Sequence, residues 1–300
     1  MELVLRTLAS GAPGVLPGAD PSAANRLDAF VSSWDPLRDP VGWLLAERAG
    51  QLAGWARIDP IHRDLYSIID VYVPPGPRRL VHGQTLLRAL TARFAGRRVE
   101  AATWHQGSDP FVHALLTAPL PEGQFRVYVE KLYVRRALDD YRSPYADRFA
   151  LRSLREVGDA AFIQVLAEAL KGSLARDIPD VRPEVEFAEM RDMEGPTHDP
   201  SAWSLACWDG EAAGVILPNR FVGPGQEGTF TFLGLAPPWR GRGLGPALHA
   251  RGLALLHAMG VRSYLCSTDV QNTPMLRLYA RHGCAPFDIR RQYLWTPTAS

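Results

Sequence analysis

The chain has 300 residues, about twice the usual size of one compact domain, so two domains or one large domain are expected. Its 33 Lys and Arg residues balance 32 Asp and Glu residues, and a formal charge of +1 excludes a global field that would hold nucleic acid or an anionic membrane. Three cysteines without paired spacing, a poor signal peptide and no apolar run near the ~20 residues of a membrane span favour a cytoplasmic protein without a disulfide framework.

The first half begins with a pattern typical of a β-hairpin. It spans Trp43 to Ile58, with a turn at Ala49-Gly50. The leucines of the following helical segment recur with a period near 3.6, which predicts one buried face. The elements predicted after the hairpin are a strand at 66–73, a loop at 74–80, a helix at 81–94 and a strand at 98–104.

A polar, proline-containing stretch at 136–148 has no clean period, so we place a domain boundary there and expect domains at 1–146 and 147–300. Beyond it, a second hairpin is predicted at Trp203 to Leu217, with a turn at Asp209-Gly210. The elements predicted after this hairpin are a strand at 229–235, a loop at 236–242, a helix at 243–259 and a strand at 262–267.

The two halves repeat the same order of elements. At a constant offset of 162 residues, Leu235 matches Val73, and three further pairs match in the same way. These pairs are Arg240 with Arg78, Gly245 with Gly83, and Leu248 with Leu86. The sequence therefore predicts a duplicated domain.

A glycine-rich loop, residues 240–245 (RGRGLG), lies between a predicted strand and a predicted helix. Free N–H groups and the positive end of the helix dipole can bind an anion at such a place. Glycines let a phosphate approach the amides, and Arg240 and Arg242 are predicted to add positive charge. The alternative is a glycine-rich turn with solvated arginines. The spacing fits neither a P-loop nor a dinucleotide fingerprint.

Two motifs in the second half resemble those of the GCN5-related N-acetyltransferase (GNAT) superfamily. The loop matches the family signature Arg/Gln-x-x-Gly-x-Gly/Ala. Further on, Asn272, Tyr279 and Gly283 are similar to the family's asparagine, helix tyrosine and following glycine. The resemblance implies an α/β fold with two tandem GNAT domains, each a mixed, mostly antiparallel sheet flanked by helices.

The resemblance also implies a reaction: an acetyl group moves from acetyl-CoA to a primary amine by direct attack, in the C-terminal domain. A backbone N–H near Leu235 would polarise the thioester carbonyl. Tyr279 would protonate the leaving thiolate or, in the alternative, is a core aromatic; Asn272 would bind the cofactor or cap a helix. The implied cofactor-binding residues are Leu233, Leu235, Arg240, Gly241, Arg242, Gly243, Leu244, Gly245 and Asn272.

Two carboxylates are candidates for the general base. Glu227 and Asp269 flank the two predicted strands and can deprotonate the amine through water; the alternative for each is a solvated loop carboxylate. His249 and His257 lie eight residues apart on the predicted helix and are expected at the surface rather than as metal ligands. No metal is expected.

The first copy departs from the signature. Val81 stands where the first glycine of the family signature belongs, and its branched side chain would crowd a pyrophosphate. Asp109 stands near the asparagine position, and no tyrosine follows at the matching place. We therefore expect a degenerate first domain, which either binds CoA weakly or only helps to build the substrate cleft.

The expected acceptor is a small-molecule or peptide amine, and the expected state is a monomer or homodimer without nucleic-acid or membrane partners. Loops and early helices at 158–200, rich in carboxylates, are expected to select the acceptor. Three alternatives remain open: a non-catalytic acyl-CoA sensor or scaffold, an acyltransferase for a longer acyl-CoA, and a transferase with another donor. The intact loop argues against the last.

Overall fold

The computed structural model describes residues 4–8, 42–49, 51–62, 65–142, 145, 147–174, 182–192, 196–197, 199–221 and 225–298. The strands are β1 (Val4–Leu8), β2 (Gly42–Arg48), β3 (Gln51–His62), β4 (Leu65–Tyr72), β5 (Arg98–Trp104), β6 (Gly123–Ala137), β7 (Ala150–Ser153), β8 (Pro196–Thr197), β9 (Ser204–Trp208), β10 (Glu211–Phe221), β11 (Glu227–Leu235), β12 (Ser263–Asp269) and β13 (Ala285–Pro297). The helices are α1 (Arg79–Arg93), α2 (Pro110–Thr117), α3 (Leu154–Leu170), α4 (Pro183–Arg191), α5 (Gly245–Ala258) and α6 (Thr273–Arg281). Among the described helices, none is long and apolar enough to cross a membrane.

The chain forms two compact units. Unit 1 contains residues 1–130 and 290–300, and unit 2 contains residues 131–289. These units do not follow a single cut of the chain near residue 146. The assignment of one acetyltransferase domain to 1–146 and another to 147–300 stays a prediction.

In unit 1, the sheet has the order β1-β2-β3-β4-β5-β13. Only β4 and β5 run parallel, whereas the other neighbours are antiparallel. Helix α1 buries Leu86, Leu87 and Leu90 in the core of this unit, so its predicted apolar face is confirmed. The predicted hairpin is also present, with Ala49 in the left-handed region at φ 53°; Gly50 lies outside the described residues.

In unit 2, the order is β6-β12-β11-β10-β9-β7, with β8 beside β10. Again only one pair, β11 and β12, is parallel. Side chains alternate along β10: Ile216 packs in a core with α5 and α6, whereas Val215 and Leu217 pack in a second core with α3 and α4. The predicted fold class, a mixed and mostly antiparallel sheet flanked by helices in each half, is confirmed.

Each unit takes the strand beside its second parallel strand from the other half of the chain. In unit 1, residues 290–294 of β13 pair with residues 100–104 of β5. In unit 2, residues 131–137 of β6 pair with residues 263–269 of β12. These pairings join residues far apart in sequence, which local patterns do not predict.

Because β13 covers the edge of β5, ending the chain after Ile289 is expected to unfold unit 1. The truncation removes Tyr293, which is fully buried, and burying one large aromatic side chain contributes about 3–5 kcal/mol. It also exposes the unpaired edge of β5. Limited proteolysis with mass spectrometry, together with circular dichroism, measures the loss. A chain that ends after Pro297 keeps every strand and serves as the control, and equal protection of both chains would refute the expectation.

Candidate active site

A wedge-shaped opening between β11 and β12, here called the cleft, lies in unit 2. The two strands pair in parallel at only two positions, Glu227 with Ser263 and Gly228 with Tyr264. Beyond these pairs, β11 continues to Leu235 and β12 to Asp269, and no ladder joins them. Backbone N–H and C=O groups on the facing edges are therefore open to a bound molecule.

A bulge sits on β11 inside the cleft. Leu217 pairs with Phe232 and Pro218 with Phe230, so Thr231 is the extra residue. The same irregularity occurs in unit 1, where Arg57 pairs with Asp70 and Ile58 with Ile68, which leaves Ile69 over. Thr231 and Ile69 are again 162 residues apart. The repeat therefore extends to a backbone feature that bends a strand and that residue types did not predict.

The glycine loop leads from β11 into α5. Gly241 and Gly243 have φ of 72° and 74°, which glycine adopts without strain, and a side chain added at either would meet no described atom within 4 Å. No described residue accepts the backbone N–H groups of 241–245. They adjoin the N-terminus of α5, which begins at Gly245, two residues later than predicted. Such amides can bind an anion.

Arg240 has a different position from the one predicted. Its guanidinium donates three hydrogen bonds to backbone carbonyls: Nε to Leu235 (2.8 Å), Nη1 to Lys171 (2.6 Å) and Nη2 to Ala169 (2.8 Å). It therefore ties the loop to the end of β11 and to the C-terminal end of α3. Arg242, whose guanidinium carbon lies 5.1 Å from the centre of the Trp239 ring, is the exposed charge of the loop.

The corresponding arginine of unit 1 is Arg79, not Arg78 as the sequence offset predicted. Its Nε donates to the carbonyl of Val73 at 2.9 Å, just as Arg240 donates to that of Leu235. Arg79 is already the first residue of α1, so Leu80 and Val81 lie in the helix and are exposed. Unit 1 therefore has no counterpart of the glycine loop.

Tyr279 lies on α6 and is 2% exposed. Its hydroxyl donates to the carbonyl of Ser267 on β12 at 3.1 Å. Burial, with the nearby Cys266 thiol, raises the pKa of the Tyr279 phenol well above its usual value. The phenol therefore keeps its proton at neutral pH and can serve as an acid.

The other predicted residues are divided between the two ends of the cleft. Asn272 caps α6: its Oδ1 accepts from the N–H of Met275 (3.3 Å), and its Nδ2 donates to Thr268 (3.0 Å). Asp269 is buried at the end of β12, where its Oδ1 accepts from the N–H of Gln271 at 2.7 Å. Glu227 lies at the opposite end of β11, near Arg135 at 3.4 Å. The structure thus brings Asp269, Asn272 and Tyr279 together but not Glu227.

The leucines predicted to hold the cofactor border the cleft and the loop. Leu233 and Leu235 are half-buried on β11, and Leu244 is 9% exposed directly before α5. All three pack against the core that contains α5 and α6. They form an apolar wall beside the open amides, while their role toward a cofactor stays a prediction.

His249 is buried, so its predicted surface position is wrong. It is fully enclosed by Phe230, Tyr264, Tyr279 and His282, and no described residue accepts from or donates to its two ring nitrogens. Burial lowers the pKa of His249 to about 3. At the offset of 162 its counterpart is Leu87, a buried leucine. The position is a core position, which the polarity of histidine concealed.

Replacing His249 by leucine is expected to remove a loss of stability in acid. The unfolded chain takes up a proton near the ordinary histidine pKa of 6.5, whereas the folded chain does so near 3, so folding weakens as pH falls through this range. The cost is about 1.4 kcal/mol per pH unit, or about 2 kcal/mol at pH 5. Urea unfolding at pH 7.5 and 5.0 measures it. His257→Leu, at a half-buried site on the same helix, should keep the wild-type dependence; an unchanged acid slope in His249→Leu would contradict this account.

Among the described residues, no three His, Cys, Asp or Glu side chains are grouped as metal ligands would be. The polar groups that border the cleft are the loop amides, the Tyr279 hydroxyl and the carboxylate of Asp269. The three cysteines are unpaired, and Cys266 is the one on β12 beside the cleft.

Comparison with known proteins gives a consistent assignment. The model of the acetyltransferase (GNAT) family matches residues 16–116 and 167–284. The chain is 32% identical over 259 residues to mycothiol acetyltransferase of Thermomonospora curvata, covering 85% of this chain and 82% of that protein. It is 29% identical to mycothiol acetyltransferase of Nocardia farcinica, covering 96% and 91%.

Solved structures agree on the fold. A GCN5-related N-acetyltransferase of Sphaerobacter thermophilus matches with a TM-score of 0.63 at 19% identity, covering 98% of this chain and 95% of that one. A tandem GNAT protein from the clavulanic acid biosynthesis pathway matches with 0.61 at 19% identity, covering 100% and 99%. With a family match in each half and relatives across most of its length, this chain belongs to the GNAT family and is a tandem-domain acetyltransferase.

Proposed function

We propose that the chain transfers an acetyl group from acetyl-CoA to the primary amine of a small molecule, and that unit 2 carries out the reaction. The observation that supports this most is the asymmetry between the units. Unit 2 has open amides at 241–245, whereas in unit 1 the helix begins at Arg79 and occupies that place. The pyrophosphate of CoA fits a loop of free amides at a helix N-terminus.

Acetyl-CoA would lie with its pyrophosphate on the glycine loop and its pantetheine in the cleft. The acetyl carbonyl would then face the amides at the end of β11, near Leu233 and Leu235. An N–H group there can stabilise the oxyanion that forms when the amine attacks. Gly241 and Gly243 are assigned to the close approach of the phosphates, and Arg240 to holding the loop.

The reaction is proposed to proceed without a covalent intermediate on the enzyme. The amine attacks the thioester carbon, and its excess proton leaves to a base. Collapse of the tetrahedral intermediate breaks the C–S bond, and Tyr279 donates its proton to the CoA thiolate. Solvent then restores the proton of Tyr279.

Of the two candidate bases, Asp269 has the better position. It ends β12 at the open side of the cleft, whereas Glu227 lies where β11 and β12 are still paired. A strand rises about 3.3 Å per residue, so Glu227 is more than 20 Å along β11 from Leu235. Asp269 would act through a water molecule, because its side chain is buried.

The acceptor is proposed to be a mycothiol-related amine, as the names of the two relatives suggest. Of the acidic stretch expected to select the acceptor, residues 175–181 and 193–195 lie outside the described residues. Glu184 begins the described part, α4, close to its N-terminus. A cytoplasmic location is proposed on the basis of the three unpaired cysteines.

The test is to incubate the full chain with acetyl-CoA and a panel of amines that includes mycothiol-related ones. Products are identified by mass spectrometry, since a thiol-containing acceptor would confuse a thiol assay. Propionyl-CoA and longer donors are run in parallel to measure the acyl preference. Acetylated amine together with free CoA supports the proposal, whereas absence of CoA binding and of product with every amine would reject it.

A further inference from the structure

A second basic site lies in unit 2, apart from the glycine loop. It is a cavity of about 430 Å³, here called the arginine cavity. Three arginines and three ring side chains line it: Arg136, Tyr141, Arg142, Tyr145, Arg281 and His282. No carboxylate lines it, so three positive charges meet without a countercharge.

The three arginines differ from most others of the chain. Arg57, Arg79 and Arg251, for example, each form an ion pair with an aspartate. Arg136, Arg142 and Arg281 form none with a carboxylate that the structure describes. Like charges held together without a countercharge repel, and a bound anion relieves this repulsion.

Aromatic rings hold two of the guanidinium groups in place. Arg136 lies 5.2 Å from the centre of the Tyr141 ring, and Arg281 lies 5.9 Å from that of Tyr145. Arg136 also needs Gly283, where an added side chain would come within 2.8 Å of Nη1. Stacked and pre-oriented guanidinium groups bind phosphate with little loss of freedom.

Unused donors point to the same conclusion. Arg136 Nε and His282 Nε2 are both buried without a described partner. Unsatisfied buried polar atoms are costly, and an anion in the cavity would satisfy them.

We propose that the arginine cavity binds a phosphate monoester. Two sources supply this group: the 3′-phosphate of a CoA molecule on the glycine loop, or a separate phosphorylated molecule. The first source rests on the proposed function.

The position of α6 makes the CoA source feasible. Leu278 would be in van der Waals contact, at 3.6 Å, with a side chain added at Gly245, and His282 interacts with the backbone of Pro246. The wall of the cavity thus adjoins the first turn of α5, next to the glycine loop.

Calorimetry on the full chain tests the first source. CoA and 3′-dephospho-CoA are titrated into wild type, Arg142→Ala/Arg281→Ala and Arg155→Ala. The doubly substituted residues are exposed, so folding is expected to persist, which circular dichroism checks. Arg155→Ala removes one charge on α3, in the other core. Wild type and Arg155→Ala are expected to bind CoA about ten- to a hundredfold more tightly than 3′-dephospho-CoA, and the double variant to bind both equally.

Inorganic phosphate tests the second source. It is titrated with 3′-dephospho-CoA saturating, so that the glycine loop is occupied. Binding that the double variant loses, without a preference for CoA, assigns the cavity to a separate phosphate. No preference for CoA and no phosphate binding sensitive to the double variant would overturn the proposal. If neither cofactor binds, the proposed function fails, and the same comparison with phosphate on the free protein decides about the cavity alone.

Discussion

The Tyr279→Phe variant is expected to turn over acetyl-CoA about a hundred- to ten-thousandfold more slowly than wild type, the range that a general acid contributes. Only the hydroxyl is lost, so the ring stays in the core and CoA should bind as before. Because burial raises the pKa of Tyr279, its ionisation should not lower kcat between pH 7 and 9. Steady-state kinetics and calorimetry separate the two effects.

Tyr293→Phe is the matched control for Tyr279→Phe. Tyr293 is fully buried in unit 1, where its hydroxyl lies 3.2 Å from Thr103 Oγ1 on β5 and 2.6 Å from His113 Nδ1. Both tyrosines thus bring a hydroxyl to the second parallel strand of their unit. Unchanged turnover in Tyr293→Phe and a large loss in Tyr279→Phe place the reaction in unit 2. The reverse result would assign the reaction to unit 1, and a less than fivefold loss in Tyr279→Phe would remove it from the role of acid.

Local chemistry allowed much of the fold to be predicted. The turn at Asp209-Gly210 is present with both residues at positive φ, 50° and 85°, because these residue types tolerate that backbone. Helix α1 follows from its leucine spacing. The repeat follows from counting, and β4 and β11 enter their parallel ladders at Leu65 and Glu227, 162 residues apart.

Other features depend on contacts that residue types do not reveal. The exchange of β6 and β13 joins distant segments, and a long-range pairing leaves no local pattern. Arg78 was matched to Arg240 by position, yet Arg79 makes the equivalent hydrogen bond, because a long side chain can begin one residue later and reach the same carbonyl. His249 was expected at the surface because burying an unpaired imidazole is costly. Such sites are found only once their neighbours are known.

Replacing Gly243 by valine is expected to weaken CoA binding about a hundredfold or more, since valine copies Val81, the residue of unit 1 at the same offset. At φ 74° a branched residue is strained, and relief of that strain would move the loop amides. If the backbone does not move, the new side chain fills the open space in front of those amides. Either way, several charge-assisted hydrogen bonds to the pyrophosphate are lost, each contributing about 1.5–3 kcal/mol.

Gly260→Val separates this effect from strain in the fold. Gly260 follows the C-terminal end of α5, has φ of 82°, and would likewise place a new side chain where no described atom lies within 4 Å. Both variants should lose a similar stability to urea, about 1–3 kcal/mol, because both force a branched residue into the left-handed region. Only Gly243→Val should lose CoA in calorimetry. Equal loss of CoA in both variants would trace the effect to folding, and wild-type affinity in Gly243→Val would show that the pyrophosphate lies elsewhere.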